Sequence, residues 1–187
     1  MSRLPVPTLR EAGLIAWVFS KVSGRVIGTE PPLLFLTIGR QHGLFRGWLH
    51  FAGKLMPGGK LPRRESELVI LRVANQRDCA YEAEHHRRLG RRAGLTPEEI
   101  GRVPDGPGAT GWSSREAALL RATDALVANR DLSDIEWSAL RTHLDEREVV
   151  EFLMLVGHYD MLATFVNTLR MEPDKALPKK APVHPGG

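Results

Sequence analysis

The sequence predicts an all-helical protein, and three observations carry that expectation. No alternating apolar–polar run ends in Asn-Gly or Asp-Gly, and β-branched clusters are few, so strand and hairpin signals are almost absent. Helix-start signals recur: Thr96-Pro97-Glu98-Glu99 combines an N-cap Thr, a Pro at the first helical position and a Glu three residues on. Ser113–Glu116 and Ser133–Glu136 repeat the S-x-x-E pattern, and Asp145–Glu148 is a variant of it. The segment ESELVILRVANQ (65–76) leaves almost no polar face, which marks a helix buried on all sides.

In chain order, a first helix is expected over about Thr8–Val22, ending in a Gly/Pro turn through Gly28, Pro31 and Pro32. Short helices follow at Leu33–Gly39 and Leu44–Leu55, before the breaker Pro57-Gly58-Gly59. A central pair runs over Arg63–Asn75 and Asp78–Ala93. Three more helices are expected at Ser114–Val127, Asp134–His143 and Glu146–Leu169, with Gly94 and Gly111 at turns. Residues 1–171 read as one domain with its core motif at 62–101. The remainder, EPDKALPKKAPVHPGG (172–187), lacks apolar residues to pack and is expected to be a disordered tail.

Composition narrows the function. The 187 residues are 42% apolar and 26% charged, ordinary values for a globular domain. No uninterrupted apolar run reaches the ~18 residues of a membrane span, and Pro5, Pro7 and Glu11 break any signal-peptide pattern. A cytoplasmic protein with no membrane partner is expected. One cysteine excludes an internal disulfide. A net charge of +4 supports no nucleic-acid role; Arg87, Arg88, Arg91 and Arg92 cluster on one helix but without interleaved aromatics.

Chemistry concentrates in DCAYEAEHH, Asp78–His86. With Asp78 as N-cap, Cys79 falls in the first turn, where a helix dipole favours thiolate. Glu82 and His86 then share its face, three and seven residues on. His85 projects about 100° away from His86, Tyr81 lies on the flank, and Glu67 can be brought across from the preceding helix. Two carboxylates, an imidazole and a thiol allow general acid–base chemistry, with one carboxyl able to hold a proton. A structural Glu82–His86 pair around a small buried Cys79 fits the same spacing. Glu82 and His86 lack HExxH spacing and a third ligand, so no metal or cofactor is expected. His158-Tyr159, inside an apolar run, reads as a hydrogen-bonded core pair. His42 and His50 lie in a segment able to fold over the site, and the four tryptophans read as core or interface anchors.

These residues also carry a resemblance. Glu67-Leu-Val-Ile-Leu-Arg-Val-Ala74, Cys79-Ala-Tyr-Glu-Ala-Glu-His-His86 and Ala93-Gly-Leu-Thr-Pro-Glu-Glu-Ile100 resemble the core of the carboxymuconolactone decarboxylase family, grouped with alkylhydroperoxidase D-like proteins. Trp137, the run Glu151–Tyr159 and Asn167 resemble the helical C-terminal half of longer members. The resemblance implies an alkylhydroperoxidase D-like all-α fold, assembled as a homo-oligomer (trimer or hexamer) around a small-molecule substrate. It implies catalytic roles for Glu67, Cys79, Glu82 and His86, with Arg72, Tyr81 and His85 binding substrate. In the peroxidase branch a Cys-x-x-Cys pair reduces peroxide; Cys79 matches its first cysteine, but Glu82 stands at the second. In the decarboxylase branch that position is commonly Glu, and the implied chemistry is decarboxylation of a γ-lactone acid, with Arg72 holding a carboxylate. This chain departs from that branch in carrying Cys79, and Ala83 in place of a bulky aromatic.

Overall fold

The computed structural model describes residues 2–178, and among them the secondary structure is helical, apart from one isolated bridge between Thr29 and Ala176. The helices are α1 (Leu9–Ile27), α2 (Leu33–Gly39), α3 (His42–Leu55), α4 (Arg63–Gln76), α5 (Ala80–Arg92), α6 (Pro97–Arg102), α7 (Ser114–Asn129), α8 (Asp134–Arg141) and α9 (Glu146–Thr168). A 3₁₀ turn, Val103–Asp105, follows α6.

Local chemistry explains most boundaries. Complete capping boxes start α6, α7, α8 and α9 at Thr96, Ser113, Ser133 and Asp145, as the S-x-x-E spacing predicts. Thr8 and Glu11 form a further one at α1. Gly94 and Gly111 occupy the left-handed turns expected of them. α1 runs about a full turn beyond the predicted Val22 and stops at Gly28, which takes the left-handed cap conformation at φ 87; Gly24 packs against the backbone of Thr29 and Glu30 with no room for a side chain. The connection into α5 differs from expectation. Asp78 adopts φ 48, closing α4 with a left-handed residue, so the N-cap position passes to Cys79, which makes no side-chain cap bond.

α4 is the axis of the molecule. It packs against α5, α7 and α9, and Glu67, Leu68, Val69, Ile70 and Val73 are wholly buried. Its all-round apolar pattern is therefore a core helix, in agreement with the sequence. The main core gathers side chains of α1, α2, α3, α4, α7 and α9. A satellite core under α6 joins Leu68, Leu71, Leu95, Ile100, Val103 and Leu120, with Trp112 against it. α9 is long and apolar enough by composition to cross a membrane, yet half of its most apolar window is buried inside the molecule.

Guanidinium clamps tie the helices around α4. Arg64 bridges Glu99 and Glu116, Arg115 bridges Glu65 and Glu148, and Arg72 grips Asp124 with two bonds of 2.6 and 2.8 Å. Arg87 and Arg88 pair with Glu84, a structural role for part of the arginine cluster.

The segment after Met171 departs from the disordered tail predicted for 172–187. Residues 172–178 run back along the α1–α2 turn, with Glu30 N–H donating to Lys175 and Leu177 N–H donating to Gly28. Asp174 anchors them, accepting from Leu33 N–H at the start of α2. Residues 179–187 of the predicted tail lie outside the described residues.

Candidate functional site

The short turn Arg77–Cys79 folds α5 back along α4, and this brings Glu67 across to His86. Nδ1 of His86 lies 2.7 Å from Oε2 of Glu67, both groups buried. A carboxylate there accepts from Nδ1–H, which fixes the tautomer and leaves Nε2 as the basic atom. One turn earlier on α4, Arg63 brings Nη2 within 2.6 Å of Oε1 of Glu67. The N–H directions miss that oxygen, so the contact is an ion pair without a good hydrogen bond.

Glu82 sits one turn from His86 on α5, 3% exposed, and neither carboxyl oxygen has a hydrogen-bond partner. Burial pushes its pKa up to about 8; the adjacent Cys79 thiol opposes the rise and the charge of Asp160 adds to it. An unpartnered carboxylate in such a place costs several kcal/mol, so the group holds its proton at neutral pH.

Cys79 is 1% exposed. Burial, and next the charge of Glu82, push its thiol up to about 12. The thiolate expected from the helix dipole is thus overturned: desolvation of the buried thiol outweighs the field of a helix N-terminus.

Glu82 and His86 open onto a cavity of about 620 Å³ bounded by α1, α2, α3, α5 and α9. Its walls are mostly apolar, among them Phe19, Leu34, Phe35, Leu49, Ala52 and Leu162. The polar end also receives Arg63, His158 and Tyr159. His158 stacks on Trp48 with centroids 6.0 Å apart and meets Phe51 and Tyr159 edge-on; Tyr159 in turn stands edge-on to His86 at 5.0 Å. His158 is buried, as a core residue should be, but the predicted hydrogen-bonded pair does not form: its Nδ1 has no partner. Burial lowers its pKa to about 4, with the charge of His86 contributing, so the imidazole is neutral. Burial raises the Tyr159 phenol well above its ordinary value.

Tyr81 and His85 also line the cavity, stacked at 4.7 Å, and both turn to Asp174. The Tyr81 hydroxyl donates to Oδ2 at 2.5 Å, and Nε2 of His85 lies 3.0 Å from the same oxygen. The Tyr81 hydroxyl and Nε2 of His85 are thus committed to this latch.

Arg72 lies away from the group. Its guanidinium is bound to Asp124, Asn75 and the carbonyls of Val103 and Pro104, outside the cavity wall, so the substrate role expected of it is corrected. The guanidinium on the cavity is Arg63. His42 and His50 also stay outside: His42 meets the Glu11 carbonyl and His50 is exposed. Their segment still forms a wall, through Trp48 and Leu49. Sequence reasoning missed Arg63, Trp48 and Asp174 as neighbours of the site. Only Arg63 carried a signal, its i,i+4 spacing to Glu67.

Residues 43–125 match the model of the carboxymuconolactone decarboxylase family. Several solved structures share the fold. An uncharacterized peroxidase-related protein from a Silicibacter species superposes with TM-score 0.81 at 15% identity, covering 92% of each chain. An uncharacterized peroxidase-related protein from Ralstonia eutropha, described as an alkylhydroperoxidase AhpD core, gives 0.80 at 21% identity, again over 92% of each. A protein of unknown function from Agrobacterium tumefaciens gives 0.65 at 21% identity, over 69% of this chain and 89% of that one. Among curated proteins none matches.

Proposed function

We propose that this chain, whose residues 43–125 match the carboxymuconolactone decarboxylase family model, is an enzyme of lyase-like proton-transfer chemistry acting on a small molecule in the 620 Å³ cavity. The observation that carries this is the buried, doubly unpartnered carboxyl of Glu82 one turn from a His86 oriented by Glu67. Two proton-handling groups with environments that separate their roles are what acid–base catalysis needs. Glu82 enters protonated and gives its proton to a developing anion. His86, with Nδ1–H on Glu67, takes a proton at Nε2, and Glu67 stabilises the imidazolium that results. Tyr159 and the aromatic wall give the exchange apolar surroundings.

Hydroperoxide reduction through Cys79 finds less support. The thiol is buried and held protonated, and the chain has no second cysteine to resolve a sulfenic acid.

The test is deuterium exchange. Cyclic enol lactones and 2-enones are incubated with the protein in heavy water, and carbon-bound deuterium is followed by NMR. Wild type and Cys79→Ser should incorporate label, while Glu82→Gln and His86→Asn slow it by about 100-fold or more. Label that never enters, or enters equally fast in Glu82→Gln, contradicts the proposal.

A further inference from the structure

The unsatisfied polar atoms of the interior are not scattered. Apart from Nε of Arg40, every buried side-chain nitrogen or oxygen without a partner among the described residues belongs to Trp48, Arg63, Glu67, Glu82 or His158. All but Glu67 line the 620 Å³ cavity, and Glu67 stands directly behind it, bonded to His86. Buried polar groups are ordinarily paired, and each orphan costs free energy. Orphans gathered on the wall of a partly open cavity are completed by what enters it.

The charges decide what that is. The charge of the Arg63 guanidinium is offset by the Glu67 carboxylate 2.6 Å from its Nη2, although its Nη1 keeps no partner. Burial keeps Glu82 protonated and His158 uncharged. Beside that paired guanidinium, the unpartnered groups of the lining residues are a carboxyl, an imidazole Nδ1 and the indole N–H of Trp48, all neutral, in an otherwise apolar wall. A carboxylate placed here would lose its hydration and gain no unpaired positive charge. A neutral head makes the same hydrogen bonds without that loss.

We propose that the cavity takes an uncharged molecule, an apolar body with a single hydroxyl or carbonyl head, and that His158 and Trp48 hold this head beside Glu82. The step rests on the cavity being the substrate site of the preceding section. It makes His158 a positioning residue: it sits between the Trp48 ring and Tyr159 and fixes where the polar end lies relative to the Glu82 proton.

Three probes that differ only in the head group test it: biphenyl, 4-phenylphenol and biphenyl-4-carboxylate, titrated against the full chain near neutral pH by ligand-observed NMR. The phenol should bind at least about tenfold more tightly than the carboxylate. His158→Phe should remove most of the phenol's advantage over biphenyl, about five- to tenfold, the size of one hydrogen bond. His158→Asn, smaller and still polar, should keep part of that advantage, which separates a lost bond from a misfolded chain. A carboxylate that binds as well as the phenol, a preference untouched in His158→Phe, or three probes that all fail to bind would overturn the proposal. Binding is read without turnover. Head-group preference with no deuterium exchange would therefore sink the proton-transfer function alone, and exchange with the preference reversed would sink this inference alone.

Discussion

At the scale of single residues, burial sets the chemistry that spacing only assembles. Cys79, Glu82 and His86 were placed together by their positions on one helix, and Glu67 by a short antiparallel turn. Their environment was not legible, because the walls come from α3 and α9 far along the chain. The helix dipole argued for a thiolate at Cys79; desolvation wins and leaves a thiol pushed up to about 12. Treatment with stoichiometric cumene hydroperoxide should therefore leave the intact mass unchanged over minutes; rapid gain of one oxygen at Cys79 would contradict this. Glu82, raised to about 8, makes a pH-dependent contribution of definite sign. Its folded pKa lies above the unfolded one, so stability is complete below about pH 4.5 for this group and is lost as pH rises through about 8. Glu82→Gln should remove that loss, making the variant more stable than wild type above about pH 8 by up to a few kcal/mol. His158 acts in the opposite direction. Lowered to about 4, it costs stability as pH falls from about 6.5 towards 4. Urea denaturation across pH, with Glu82→Gln and His158→Phe as controls, checks both signs.

At the scale of elements, helix starts were legible wherever a capping box marks them, since each signal is local and complete in four residues. Two departures come from interactions that are not local. Asp78 closes α4 in a left-handed conformation, and one residue cannot also be the extended N-cap of α5. The segment after Met171 was assigned to disorder on composition, but a single carboxylate holds it: Asp174 accepts from Leu33 N–H, Tyr81 and the side of His85. No apolar pattern announces such an anchor. Asp174→Ala leaves the Tyr81 hydroxyl and the α2 amide short of a buried acceptor, a loss of about 1–3 kcal/mol. It should lower the urea midpoint and raise protease cleavage after Met171; an unchanged midpoint would contradict the anchor.

At the scale of the whole molecule, the helical class followed from missing strand signals and recurring caps, and the central role of α4 from its lack of a polar face. Assembly is the part that one chain does not contain. α1 leaves Leu14, Val18, Val22 and Val26 exposed at 50–68%, one apolar stripe at i,i+4 spacing. The homo-oligomer implied by the family resemblance would cover it, and Val26 also borders the cavity. If the family's assembly holds for this chain, light scattering gives a multiple of the chain mass, and Val18→Lys with Val22→Lys reduces it to that of one chain; a multiple unchanged in the variant would place the contact elsewhere. The central claim is narrower: a protonated carboxyl waits beside His86 in an apolar cavity. Infrared difference spectroscopy of wild type against Glu82→Gln, with carbon-13 glutamate to mark the band, tests it directly. A protonated carboxyl band present at about pH 7, lost on titration near pH 8 and absent from Glu82→Gln, is the expected result. A spectrum with no such band at about pH 7 would mean that Glu82 is ionised, and the acid of the proposed reaction would have to be sought elsewhere.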